Sequence, residues 1–109
     1  YKPADAAGED GDFDAKVKCL EDLDPFIPQI LELEPDVLMV AGDYATPLIM
    51  AAHSWHPVPL SLHSKLTKGQ GVPTFDEKAC ALGAIGSIPA TSIMVLGLSH
   101  AGKMTKFGP

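Results

Sequence analysis

The chain has 109 residues, of which 46% are hydrophobic, and its formal net charge at pH 7 is -6. The hydrophobic content excludes a disordered tail, and the length allows one small domain at most. All eight basic residues are lysines, so the chain lacks both the arginine forks that clamp phosphate and the basic face that nucleic-acid binding requires.

The first part of the chain is predicted to be a loop followed by an interrupted helix. Residues 1–12 are small and acidic, which indicates a loop. Asp12 is a predicted N-cap for a helix that begins at Phe13. Asp24 followed by Pro25 predicts a kink or a fresh start, and the helix is expected to end by Glu34, just before a proline.

Two short strands follow, with helical segments after each. The apolar run 37–41 is typical of a strand buried on both faces, as in a parallel sheet. Residues 46–52 predict a short helix, and residues 58–62 a second strand at an edge or irregular position, because it contains a proline. After a polar loop at 65–73, a helical turn is expected near 76–82.

The last predicted helix runs from about Pro89 or Ala90 to Gly102, and residues 103–109 form a tail. The stretches 44–64 and 79–102 carry no charged side chain, and we interpret them as interior segments of an α/β protein rather than membrane spans. The order helix, strand, short helix, strand, helix is an α/β pattern.

The chain is expected to be part of something longer. Two strands are too few for an independent sheet with both faces covered, so partner strands outside the chain are implied. The sequence also opens without an initiator methionine and without a secretory signal, which predicts sequence upstream and a cytoplasmic protein. Cys19 and Cys80 lack metal-binding spacing and are expected to be buried, reduced thiols.

Three clusters contain side chains that could carry chemistry. Asp5 and Glu9 belong to an acidic, small-residue segment, and their spacing places two carboxylates one helical turn apart; a solvated acidic loop is the alternative. Asp43 follows the first strand, where α/β sheets bind ligands, although it could equally cap the next segment. His53 and His56 are candidate imidazole ligands, or else hydrogen-bonded structural residues.

Carboxylates and imidazole without paired thiolates suit Mn²⁺, Zn²⁺ or Fe²⁺ better than a structural zinc. His63 and His100 lack comparable neighbours and are interpreted as structural residues. Trp55, between the two candidate imidazoles, is expected to pack rather than to stack on a substrate.

Three strings carry a resemblance to a known family: KPADAAGEDGDFDAKVKCLEDLD, PDVLMVAGDYATP and HSWHPVP. They resemble the C-terminal part of the archaeal-type 2,3-bisphosphoglycerate-independent phosphoglycerate mutases, which belong to the alkaline phosphatase superfamily. The resemblance implies that residues 1–109 are a C-terminal segment of the metalloenzyme domain. It also implies an incomplete part of a three-layer αβα sandwich.

The same resemblance implies an isomerase of glycolysis that interconverts 3-phosphoglycerate and 2-phosphoglycerate. Two divalent metal ions would assist phosphoryl transfer through a serine outside this chain, so no catalytic residue is expected here and the fragment alone is expected to be inactive. Asp5 and His53 resemble ligands of one metal, and Asp43 a ligand of the other. The implied partners are a phosphorylated small molecule and the rest of the polypeptide, with neither nucleic acid nor membrane.

At two positions the sequence departs from the family pattern. Glu9 and Tyr44 stand where the family commonly has histidine. Glu9 remains a suitable ligand, whereas the Tyr44 phenol must lose a proton before it binds a metal well. Tyr44 and His56 are therefore possible metal or substrate residues. A related phosphoryl-transfer enzyme, for example one like a homoserine kinase, and a non-catalytic member are the alternatives.

Overall fold

The computed structural model describes residues 1–67 and 71–105. Within them lie five α-helices, one short 3-10 helix and two strands, so the predicted mixed α/β class is confirmed. The chain divides into two compact units. We call Tyr1–Glu34 with Asp43–Val58 the first unit, and Pro35–Gly42 with Pro59–Pro109 the second unit.

The first unit begins with helix α1, Lys2–Glu9, so the predicted loop at residues 1–12 is wrong. Three alanines favour the helix, and a proline in its first turn has the required backbone angle already set. Gly11 ends it with a φ of 68°. Its amide donates to Gly8, and the next amide donates to Ala7, which is the Schellman arrangement that satisfies the last carbonyls.

Helix α2 spans Phe13–Leu23 and begins as predicted. The Asp12 side chain accepts a hydrogen bond from the Ala15 amide at 3.0 Å, which confirms its N-cap role. The predicted interruption is also confirmed, because helix α3, Phe26–Leu31, starts anew after Pro25.

The segment after residue 43 contains a single turn where a short helix at 46–52 was predicted, so that prediction is wrong. The Met50 and Ala51 amides both donate to the Pro47 carbonyl, at 3.0 and 3.1 Å. Ala51 then adopts a φ of 46°, outside the right-handed helical region, so the turn cannot propagate. An isolated antiparallel β-bridge between Ala45 and Ser54 brings the two ends of this segment together.

The second unit contains strands β1, Val37–Ala41, and β2, Leu60–Ser64. Strand β1 has the predicted bounds, whereas β2 starts two residues later than predicted, directly after Pro59. The two pair antiparallel, with Val37 opposite Ser64 and Ala41 opposite Leu60. Within this chain β1 is only half-buried, so its predicted burial on both faces, which requires partner strands from outside the chain, stays a prediction.

The helices of the second unit follow the sequence prediction closely. Helix α4 is Glu77–Ala81, and the Asp76 side chain caps it by accepting from the Ala79 amide at 2.8 Å. A 3-10 turn at Ala90–Ser92 leads into helix α5, Ile93–His100. Parts of the predicted loop at 65–73 and tail at 103–109 lie outside the described residues.

Helix α5 packs against strand β1 through a glycine. A Cβ atom placed on Gly97 would lie 2.8 Å from the Met39 methyl carbon, so the missing side chain makes room for this methionine. At the end of α5, His100 Nδ1 lies 3.0 Å from the buried Ser64 hydroxyl, which supports the structural role predicted for this histidine.

Apolar side chains are unusually exposed. Among the described residues, Ala7 is the one hydrophobic side chain that is buried, whereas Ile49 is 96% exposed and Leu82 is 86% exposed. Cys19 and Cys80 are free, as predicted, but half-buried. None of the helices within residues 1–67 and 71–105 combines the length and the apolarity that a membrane crossing needs.

Candidate metal centre

Helix α1 and the segment after the Pro47 turn bring three predicted ligands together. Asp5 and Glu9 are four residues apart on α1 and therefore share one face of the helix. With His53 they form a group whose ligand atoms all lie within 4.8 Å of one another. His53 Nε2 lies 3.5 Å from Glu9 Oε1. Two carboxylates and an imidazole within this span fit a divalent ion.

The Thr46 hydroxyl contacts two members of this group. Its hydroxyl lies 3.3 Å from Asp5 Oδ1 and 3.2 Å from His53 Nδ1, and the residue is only 7% exposed. Lys16 Nζ donates to the Thr46 carbonyl at 2.6 Å. Sequence reasoning missed Thr46 as a functional residue, although it lies in the GDYATP string; threonine beside proline is too common in turns to be distinctive.

Gly8 allows Thr46 to lie this close to α1. A Cβ atom at Gly8 would lie 3.1 Å from the Thr46 methyl carbon and 2.9 Å from Lys16 Nζ. Both distances are shorter than ordinary van der Waals contact, so any larger residue would displace these neighbours. The glycine is therefore part of how the sequence builds the centre.

Two further side chains set the electrostatics of the centre. Lys2 forms an ion pair with Asp5 Oδ2. Its hydrogen bond holds the pKa of Asp5 below the ordinary value, and the same bond raises the pKa of Lys2. The Asp5 carboxylate is therefore ionised near neutral pH and available as a ligand.

Tyr44 lies beside the same group. Its hydroxyl donates to Asp5 Oδ2 at 3.4 Å, and its ring centroid is 4.0 Å from that of His53, tilted by 55°. Desolvation, followed by the Asp5 charge, raises the pKa of Tyr44, so the phenol remains protonated. A protonated phenol is a poor metal ligand but an adequate hydrogen-bond donor.

Asp43 and His56 lie outside the group of three found among the described residues. Asp43 is exposed, and its Oδ1 accepts from the Tyr44 amide at 3.0 Å. His56 Nδ1 lies 2.8 Å from the Ser54 hydroxyl, and its ring stacks on Trp55 at 4.8 Å. Trp55 is 87% exposed within this chain, so the expectation that it packs rather than stacks on a substrate stays a prediction. Ligand roles for Asp43 and His56 stay predictions.

Comparison with known proteins defines the class to which this fold and centre belong. Residues 1–100 match the Metalloenzyme superfamily. The match covers most of the chain, including every member of the cluster described above. The chain therefore belongs to the Metalloenzyme superfamily, and that membership implies metal ions.

The individual relatives are more specific. The chain is 50% identical over 107 residues to a probable 2,3-bisphosphoglycerate-independent phosphoglycerate mutase of Thermotoga petrophila, and 47% identical to one of Aquifex aeolicus. These matches cover 98% of the chain but only 27% and 26% of the relatives. The chain thus spans about a quarter of their length. The resemblance to this mutase group is confirmed.

A solved structure agrees with the fold. The chain superimposes on the PH0037 protein from Pyrococcus horikoshii with a TM-score of 0.91 and 31% sequence identity. The match covers 100% of this chain and 34% of that one. The described mixed α/β arrangement therefore also occurs as about a third of a larger protein.

Proposed function

We propose that this chain supplies part of the metal centre of a phosphoglycerate mutase that interconverts 3-phosphoglycerate and 2-phosphoglycerate. The observation that carries the proposal is the convergence of Asp5, Glu9 and His53 within 4.8 Å. The relatives named as probable phosphoglycerate mutases give the reaction. Manganese, zinc and iron all suit the donor set, and we propose two divalent ions, the second near Asp43.

The residues of the chain have separate tasks in this proposal. Asp5, Glu9 and His53 would hold one ion, while Lys2 and Thr46 contact the Asp5 carboxylate and orient it. Divalent ions supply positive charge that offsets the charge of a transferred phosphoryl group. The nucleophilic serine and the cationic substrate clamp are proposed to lie in the rest of the polypeptide, since this chain has no arginine.

The proposal also covers the larger polypeptide to which the chain belongs. We propose that it forms part of a three-layer αβα sandwich in a longer cytoplasmic polypeptide. The coverage of about a quarter of the relatives and the exposed apolar side chains support this. The 109-residue chain alone is proposed to be inactive.

The test uses the full polypeptide loaded with Mn²⁺ or Zn²⁺, assayed for interconversion of the two phosphoglycerates. His53→Ala should abolish both activity and the binding of one ion, because it removes a ligand. Asp43→Ala should abolish activity through the second ion. His63→Ala is the matched control, since His63 lies on β2 in the second unit, and it should leave activity unchanged. Metal-loaded wild type that is inert towards both isomers would refute the mutase proposal.

A second candidate function, a related phosphoryl-transfer enzyme or a non-catalytic member, is favoured by two residues. Glu9 and Tyr44 stand where the mutase family commonly has histidine. A different ligand set can accompany a different phosphoryl acceptor or a lost metal site. A panel of phosphomonoesters, together with homoserine and ATP, separates a relative with another substrate from a mutase. Absence of bound metal by elemental analysis at micromolar supply would indicate a non-catalytic member.

A further inference from the structure

We propose that Thr46 is a positioning residue of this centre, and that its hydroxyl holds His53 in the tautomer that leaves Nε2 free to bind a cation. The two contacts that carry the proposal are Thr46 Oγ1 to Asp5 Oδ1 at 3.3 Å and Thr46 Oγ1 to His53 Nδ1 at 3.2 Å. A single hydroxyl thus joins a carboxylate of α1 to an imidazole of a distant segment.

The direction of the two hydrogen bonds follows from counting protons. A threonine hydroxyl has one proton to donate, and an ionised carboxylate can only accept. Thr46 therefore donates to Asp5, and its oxygen can only accept from His53. That acceptance requires the proton of the neutral imidazole to be on Nδ1, so the lone pair of His53 is on Nε2.

The free nitrogen faces another acceptor. His53 Nε2 lies 3.5 Å from Glu9 Oε1. Two atoms that both carry lone pairs repel each other at this distance unless a cation lies between them. The tautomer set by Thr46 therefore converts the pair of Glu9 and His53 into a cation site, whereas the opposite tautomer would place a proton between them.

Neighbouring residues hold Thr46 in one position, which a residue that orients His53 requires. The residue is 7% exposed, and its carbonyl is held by Lys16 Nζ at 2.6 Å. The absence of a side chain at Gly8 leaves space for the Thr46 methyl group, and the proline at position 47 restricts the backbone angles of Thr46. The oxygen is thereby fixed between its two partners, and because the Asp5 carboxylate takes the hydroxyl proton, this oxygen favours the imidazole tautomer with its proton on Nδ1.

The direct test is the tautomer of His53 in the metal-free full polypeptide. Two-bond proton–nitrogen spectra of histidine-labelled protein at pH 8 distinguish the two tautomers and the doubly protonated ring, and His53→Asn assigns the signal. Wild type and Thr46→Ser should carry the proton on Nδ1. Thr46→Val, which has the same shape without the hydroxyl, should lose that preference while its thermal unfolding shows a folded protein.

A second measurement follows the consequence for binding, and this part rests on the proposed metal centre. Titration with Mn²⁺ should show that Thr46→Val weakens binding about 10–100-fold, as expected when an outer partner of a ligand is removed. Thr46→Ser, which keeps the hydroxyl, should bind Mn²⁺ with an affinity within about threefold of wild type.

The outcomes separate the two proposals. A wild-type His53 protonated on Nε2, or on both nitrogens, would overturn the role of Thr46 without any variant being needed. An unchanged tautomer in folded Thr46→Val would do the same. The predicted tautomer in a protein that binds no Mn²⁺ would support Thr46 as the tautomer-setting residue and would refute the metal centre.

Discussion

Tyr44 has contacts that differ from those of a metal ligand. Its hydroxyl reaches Asp5 and its ring lies against His53. Tyr44→Phe removes only a 3.4 Å hydrogen bond, so Mn²⁺ affinity should change less than about threefold. Tyr44→His places an imidazole next to Asp43 and should tighten the second ion by about tenfold or more. Competition against a chromophoric chelator measures both, and an unchanged second ion in Tyr44→His would argue against Asp43 as a ligand.

At the scale of single residues, part of the centre could be predicted from the sequence. The spacing of Asp5 and Glu9 predicts a shared face if the segment is helical, and His53 stood out in an uncharged stretch. Thr46 could not be found in this way. Its contact with Asp5 joins residues 41 positions apart, and no local pattern marks a hydroxyl that is buried only by the tertiary fold.

Among the helices, two glycines have different neighbours and should respond differently to alanine. Alanine at a helical position gains about 1 kcal/mol over glycine. Gly97→Ala meets the flexible end of Met39, which can rotate away, so stability should be unchanged or slightly higher. Gly8→Ala meets both carbons of the buried Thr46 side chain and should weaken Mn²⁺ binding. Thermal unfolding and metal titration of both variants test this, and equal metal affinity in the two would contradict it.

The start of helix α2 allows a separate test. The Asp12 side chain caps the helix through the Ala15 amide, so Asp12→Ala should reduce stability by about 1 kcal/mol. Asp12→Asn keeps a cap of similar quality and should lose much less. Chemical denaturation of both variants measures the difference, and equal losses would show that the charge rather than the cap matters.

The sequence was informative about elements wherever periodicity or capping was strong. Helix α2 and strand β1 have their predicted starts, because a cap residue and a continuous apolar run mark them. Helix α1 was missed because acidic residues and glycines outweighed its alanines. The antiparallel pairing of β1 with β2 depends on where the chain returns, which no local pattern encodes.

For the whole molecule, the exposed apolar surface is the dominant feature. The chain is 46% hydrophobic, yet Ala7 is the one buried hydrophobic residue among those described. Large contiguous apolar patches are sites of association. The isolated 109-residue chain should therefore self-associate and bind a hydrophobic dye, whereas the full polypeptide should bind much less of the dye. Sedimentation and dye fluorescence measure this, and a monomer with a cooperative melt would contradict it.

The cluster of Asp5, Glu9 and His53 also has a consequence for how well the chain resists proteolysis in a cell. Asp5 and Glu9 lie on one helix but His53 is 44 residues further along, so an ion bound by all three closes a long chain loop and offsets part of the entropy of that closure. A ligand that binds only the folded state stabilises it, and the gain rises with the logarithm of the free ligand concentration. Metal starvation should therefore loosen α1 as well as empty the centre, and faster proteolysis at this helix would report the loss of the ion.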